Sequence, residues 1–200
     1  YLADFHRERA GIVEAVLSRS TSGDHTPYRW LGRAVGGTAG IVLDVACGSG
    51  PMSRVLAAPD RMVIGVDISV AELRLAAERG PGPWVRGDGL RLPFRDGSVD
   101  AVTSSLGLVV ITPLESLIAE ITRVLRPGGL LAAIAPALRP LSPSDARILA
   151  RISTRLRAKP QFPGPVELAG FTKTLHAYGL RRVEDQRERG RTRVHGQRGE

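Results

Sequence analysis

The chain has 200 residues, 42% of them apolar and 24% charged, which suits one soluble globular domain; no apolar run approaches the ~20 residues that cross a bilayer, so a membrane span is excluded. One cysteine, Cys47, excludes an internal disulfide framework and a multi-cysteine metal site; no metal is expected, and a reducing cytoplasm is the expected location. A net charge of +8, carried almost wholly by arginine, favours acidic partners through long-range attraction without fixing a fold.

Over residues 2–19, Phe5, Ile12, Val13, Val16 and Leu17 fall mostly on one face at helical spacing and predict an amphipathic lead-in helix; YLADFHRERAGIVEAV has no signal-peptide apolar core. The loop STSGDHTP follows, then a short helix over 28–35 behind Pro27, and GGTAG separates this lead-in from Ile41. Beyond it, strands and helices alternate. Strand one covers 41–46, and a helix opens at Pro51, where a missing amide proton costs nothing. Strand two is Met62 to Asp67, and Ser69 caps a helix from Val70 to Arg79, with Glu72 completing a capping box. A short third strand, Trp84 to Arg86, precedes a fourth, Val99 to Ser105. A helix over 114–125 and the turn RPGG lead into a fifth strand, 130–135. Proline-rich turns around one basic helix fill 136–165; a last helix spans 166–178, and Leu180 to Glu188 reads as a sixth strand. This rhythm predicts an α/β fold, a doubly wound, mostly parallel sheet with helices on both faces in three layers, because parallel strands require crossover connections.

In such a sheet the ligand lies outside the carboxyl ends of the strands, near the point where strand order reverses. Strand one runs into a glycine turn as VLDVACGSG, Val42 to Gly50; strand two ends in Asp67, strand three leads to Gly87, Asp88 and Gly89, and strand four ends at Ser104 and Ser105. A dinucleotide fingerprint would set a third glycine where Ser53 stands, and Asp44, just ahead of the turn, would repel a pyrophosphate. A ligand with local positive charge fits better.

VLDVACGSG resembles the first motif of class I S-adenosylmethionine-dependent methyltransferases, and VIGVDIS, GDGLRLPFRDGSVDAV and LRPGGLLAAI resemble the next motifs in order and spacing. LPFRDGSVD is similar in particular to the methyltransferase type 11 branch that includes ubiquinone and menaquinone biosynthesis enzymes, and the resemblance covers 41–135. It implies a Rossmann-like fold, S-adenosylmethionine as cofactor, and methyl transfer by direct displacement to a small-molecule acceptor. It divides the single domain into a helical lead-in or lid (1–40), a cofactor-binding core (41–135), a variable basic lid insertion (136–165) and a last helix, strand and polar tail (166–200). Residue by residue, it implies that Gly48, Ser49 and Gly50, in the turn that Ala46 opens, let the backbone approach the methionine moiety, with Asp44 bonding towards its ammonium side. Asp67 would accept both ribose hydroxyls; Ile68 would pack on the adenine, Asp88 accept from its amino group, and Gly89 and Leu90 close the base pocket. Ser104 and Ser105 would lie beside the transferring methyl.

A base is needed only where the nucleophile must lose a proton. His6 on the lead-in helix and Tyr28 are the candidates, with His25 and His176 behind them, and none has a spacing that singles it out. Arg147, Arg151 and Arg155 recur every four residues and would favour an acidic acceptor, the ordinary alternative being a solvated helix face. The tail RERGRTRVHGQRGE is basic, yet it lacks interleaved aromatics, and no NPPY or DPPY follows strand four; nucleic acid is therefore the disfavoured partner and an RNA methyltransferase an alternative. A cofactor-binding scaffold without turnover is another. The branch ends in an antiparallel hairpin, but beyond Leu180 to Glu188 only arginine, glycine and polar residues remain, so that hairpin is expected to be incomplete. Strand five would then have an open edge for the tail or a second copy, as a homodimer, to cover.

Overall fold

The computed structural model describes residues 9–19, 25–37, 40–136, 168–188 and 191–199. Two helices lead in, α1 (Ile12–Arg19) and α2 (Pro27–Val35). The core follows as β1 (Ile41–Val45), α3 (Pro51–Leu56), β2 (Met62–Asp67), α4 (Val70–Arg79), β3 (Trp84–Arg86) and β4 (Val99–Ser105). Then come α5 (Gly107–Val110), α6 (Leu114–Val124), β5 (Leu125–Pro136), α7 (Leu168–Ala177), β6 (Leu180–Glu188) and β7 (Arg191–Arg198). Local chemistry places the helix starts: Pro27 and Pro51 stand in first turns, Thr26 Oγ1 accepts from the Arg29 amide at 3.3 Å, and Ser69 Oγ from the Glu72 amide at 3.4 Å.

The strands form one seven-stranded sheet in the order β3-β2-β1-β4-β5-β7-β6. The first five are parallel, and β7 runs antiparallel between β5 and β6. Strand order reverses between β1 and β4, so the chain leaves a crevice at their carboxyl ends. Period-two alternation builds the layers. On β5, Leu131, Ala133 and Ala135 point into a core with Leu43, Val45, Leu117, Ile118, Ile121 and Leu175. Ala132 and Ile134 face the opposite side, with Val42, Tyr28, Trp30, Leu31, Met52 and Leu56. The sheet is thus sandwiched between α5, α6 and α7 on one face and α2 and α3 on the other.

The complete C-terminal hairpin corrects the sequence expectation. β7 pairs with β5 from Leu130↔Gln197 to Pro136↔Arg191 and with β6 from Leu180↔Arg198 to Glu188↔Arg191, so the chain itself covers the edge of β5. Backbone hydrogen bonds make this strand; its polar side chains hid it, and the argument for a homodimer sealing an open β5 edge falls with the correction. The expected basic insertion, with Arg147, Arg151 and Arg155, lies outside the described residues, as does His6.

Candidate functional site

At the end of β1 the backbone enters the left-handed region three times in five residues, at Ala46 (φ 58), Gly48 (φ 52) and Gly50 (φ 75). A Cβ on Gly50 would stand 2.5 Å from Trp84 Cη2, and one on Gly65 of β2 would stand 2.6 Å from the same ring. The Trp84 indole therefore requires glycine at both positions and supports the turn from below. The Gly48 amide donates to Asp67 Oδ2 and the Ser69 amide to Asp67 Oδ1, both at 2.8 Å, so the carboxylate at the tip of β2 ties the glycine turn to the start of α4.

Around this turn lies a cavity of about 230 Å³. Its wall includes Val13 and Glu14 of α1, Tyr28 of α2, Asp44, Ala46, Gly48 and Ser49 of the first strand and turn, Asp67, Glu72 of α4, Ser105 at the end of β4, and Leu106 and Gly107 after it. Four of these side chains are carboxylates. Asp44 is fully buried and accepts from Ser53 Oγ at 2.8 Å and Thr103 Oγ1 at 3.0 Å. Burial pushes its carboxyl up to about 6, with the nearby Asp67 charge adding to the rise and the two hydroxyls opposing it. Ser53, the residue that breaks the dinucleotide fingerprint, is thus one of the two partners that keep Asp44 in place.

Glu14 reaches across from α1. It accepts from Ser49 Oγ at 2.6 Å, from Arg54 Nη2 at 2.6 Å and from Arg79 Nη1 at 2.5 Å. Burial pushes its carboxyl up, but the Ser49 and Arg54 hydrogen bonds and the Arg54 and Arg79 charges outweigh this and leave it below its ordinary value. Glu72, also buried, accepts from the Gly11 amide at 3.1 Å and so holds the start of α1 on α4. Its carboxylate does not return to Ser69, whose amide is taken by Asp67; the reciprocal half of the expected capping box is replaced by a long-range contact.

Tyr28 is buried, and burial followed by the charges of Glu14 and Asp44 holds its hydroxyl well above the ordinary phenol value, so it stays protonated at neutral pH. Burial, then Asp44 and Asp67, likewise pushes the Cys47 thiol up, so Cys47 is no nucleophile. Ser105 Oγ is buried and has no hydrogen-bond partner among the described residues, an open polar atom in the cavity wall.

The structure brings Asp44, Ala46, Gly48, Ser49, Asp67, Ser105 and Tyr28 to one cavity. It does not bring Gly50, Ile68, Asp88, Gly89, Leu90 or Ser104 to its wall. Ile68 is 58% exposed beyond Asp67, and Asp88 Oδ1 accepts from the Leu90 amide at 2.9 Å in the turn after β3. Gly89 is packed so tightly that a Cβ would meet Ile111 at 3.0 Å. Ser104 is fully buried and its Oγ donates to the Val45 carbonyl at 2.9 Å, so it locks β4 to β1. His25 is held by Arg33, and His176 is exposed near the end of α7. Sequence reasoning missed Glu14 and Arg54 and saw in Glu72 only a cap, since their meeting depends on how α1 lies over α3 and α4. Among the described residues there is no helix long and apolar enough to cross a membrane and no group of three or more side chains that could hold a metal.

Residues 43–133 match the family described as the methyltransferase domain. Together with the sheet order and the cavity at the β1/β4 reversal, this decides the family of the core. Residues 43–133 form a class I S-adenosylmethionine-dependent methyltransferase domain of the type 11 branch. The chain is 41% identical over 106 residues to the demethylmenaquinone methyltransferase of Beutenbergia cavernae, covering 52% of this chain and 44% of that protein. It is 39% identical over 112 residues to the 2-phytyl-1,4-naphtoquinone methyltransferase of Synechococcus elongatus, covering 51% and 48%. The chain therefore spans about half the length of these relatives. In fold it is similar to the crystal structure of the [4+2]-cyclase SpnF, with a TM-score of 0.74 at 16% identity over 99% of this chain and 95% of that one. The donor set fits the cofactor of the branch: a left-handed glycine cradle, carboxylates for a sulfonium, and an unpartnered hydroxyl at Ser105.

Proposed function

We propose that this chain binds S-adenosylmethionine and transfers its methyl group to a small, quinone-type acceptor in the cytoplasm. The observation that carries the reading is the cavity at the carboxyl ends of β1, β2 and β4, walled by Asp44, Asp67, Glu14 and Glu72. Bound there, S-adenosylmethionine supplies an electrophilic methyl on a sulfonium. The protein's own task is then to align groups and exclude water. Asp67, already engaging two amides through its two oxygens, is the acceptor we assign to the ribose hydroxyls. Ile68 is assigned to the adenine face, and Asp88, Gly89 and Leu90 to its edge. Asp44 acts by its charge, since its oxygens already accept from Ser53 and Thr103. Ser105 Oγ is the donor we place beside the methyl, whereas Ser104 is spent on the strand. Tyr28, held neutral, is suited to donating a hydrogen bond rather than taking a proton.

The quinone acceptor follows from the named relatives, because the fold alone also carries a cyclase. Calorimetric titration with S-adenosylmethionine, followed by methyl-transfer assays on a panel of naphthoquinols with isotopically labelled donor, tests both halves. Absence of binding overturns the cofactor assignment; binding without labelling of any naphthoquinol overturns the acceptor assignment and favours a non-catalytic scaffold.

A further inference from the structure

No residue of α1 is buried, so the helix lies on the surface with its sides divided. Val13 and Leu17 turn inward, the first to the cavity described above and the second to the apolar cluster that includes α2 and α3. Glu14 and Ser18, one turn apart, line a second cavity of about 530 Å³ together with Arg29 and Val55. Ile12 and Val16 line neither cavity and are 40% and 56% exposed. Helical spacing places Arg19 on their side, and Arg9, whose carbonyl accepts from the Ile12 amide at 3.2 Å, stands one turn ahead. The outer stripe of α1 is therefore an apolar pair with an exposed arginine at each end.

We propose that this outer side of α1 docks the protein on an anionic lipid bilayer, with Ile12 and Val16 entering the interface and Arg9 and Arg19 meeting the headgroups. Charge complementarity selects the occupant. Over the described lead-in residues, 9–19 and 25–37, Arg9, Arg19, Arg29 and Arg33 are all exposed, and the single carboxylate, Glu14, is turned inward onto Ser49, Arg54 and Arg79. Such a face attracts an anionic surface, and the net charge of +8 on the chain adds to the attraction. Arginine suits the boundary because its hydrocarbon stem lies along apolar surface while the guanidinium stays among the headgroups. An RNA surface would call for stacking aromatics where the stripe has aliphatic side chains. A second copy related by a two-fold axis would set arginine against arginine. The contact lies in the plane of the interface and places the first cavity about one helix diameter, ~10 Å, from the lipid. Docking rests on this surface alone; its use rests on the quinone-type reading above, since an acceptor that bears a hydrocarbon chain resides in a bilayer.

Vesicles without any acceptor carry the test. The chain is expected to float with vesicles of phosphatidylcholine and phosphatidylglycerol in equal parts at least about fivefold more than with phosphatidylcholine alone, and to be released as salt rises from about 0.1 M to about 0.5 M. Ile12→Gln combined with Val16→Gln, which keeps a good helix former at both exposed positions, is expected to lower that binding by about fivefold or more, and Arg19→Gln by about twofold or more. Affinity for S-adenosylmethionine, by calorimetry, is expected to change by less than about twofold in both variants, with circular dichroism melting to confirm folding. No preference for the anionic vesicles, or unchanged vesicle binding by the paired glutamine variant, overturns the proposal. So does a paired variant that loses polyuridylate while keeping vesicles, which would make the stripe an RNA site, or one that falls from dimer to monomer by light scattering while keeping vesicles, which would make it a contact between copies. Labelling of naphthoquinols in detergent solution reads the acceptor assignment separately, so failure of one reading does not mimic failure of the other.

Discussion

Asp44 is a fully buried carboxylate, kept by two hydroxyls and poised near neutrality by burial. Its folded-state value, about 6, stands above the ordinary 3.8, so the folded chain holds this proton more tightly than the unfolded one. The stability it contributes is therefore complete below the ordinary value and is lost as pH rises through about 6. A cation in the cavity reverses the preference, because it favours the ionised form. Affinity for S-adenosylmethionine is accordingly expected to rise with pH through about 6, by up to roughly tenfold per unit on the acid side, and to level off above. Asp44→Asn should bind more weakly at neutral pH and show a flat profile over the same range, as measured by calorimetry. A wild-type profile equally flat would remove Asp44 from the site's electrostatics. The sequence showed this residue clearly because a lone acid in an apolar strand ahead of a glycine turn has few structural uses. It could not show that Ser53 and Thr103 would hold it, since those bonds bridge β1, α3 and β4.

Helix and strand ends carry the next level of order. Most elements of the core were legible because their signals are local: period-two apolar runs, Pro at a first turn, Ser69 as a cap. Contacts between elements were not. The loop before β4 is clamped to α6 by Arg123, which donates to the Leu92 and Phe94 carbonyls at 3.0 and 2.8 Å and pairs with Glu120 and Asp96. The end of β7 is fastened to the same helix by Arg198, whose Nη1 donates to the carbonyls of Thr122, at 2.9 Å, Arg123 and Leu125. These are among the last carbonyls of a helix, which have no partner within it. In the sequence Arg198 was one more cation of a polar tail, although in space it is a C-cap supplied from 73 residues away. Arg198→Ala is expected to cost about 1–3 kcal/mol, seen as a fall of several degrees in melting temperature, with Arg198→Lys in between because it has fewer donors. An unchanged melting temperature would show that water replaces the guanidinium without loss.

For the molecule as a whole, the decisive element is the one whose side chains said least. RTRVHGQR contains a single apolar residue, and strand recognition from sequence depends on an apolar face. β7 needs little of one, because it lies between two strands and is fixed through backbone hydrogen bonds along both edges, with Ala132, Ala133 and Ile134 of β5 supplying the neighbouring apolar surface. Its position closes the sheet on the side of the β1/β4 reversal opposite β3, and it leaves β6 rather than β5 as the outer strand. The outer strand is then LRRVEDQRE, rich in charge, whereas β5, rich in alanine, leucine and isoleucine, lies inside the sheet. Charged edges resist pairing with other chains and apolar ones invite it. Removing residues 189–200 should therefore expose the edge of β5 and strip the carbonyl contacts of Arg198 together. The truncated chain is expected to associate with rising concentration and to melt at lower temperature, by light scattering and circular dichroism, at concentrations where the full chain stays monomeric. A truncated chain that remained monomeric and bound S-adenosylmethionine as tightly as the full one would show that the sheet is held from its first five strands alone.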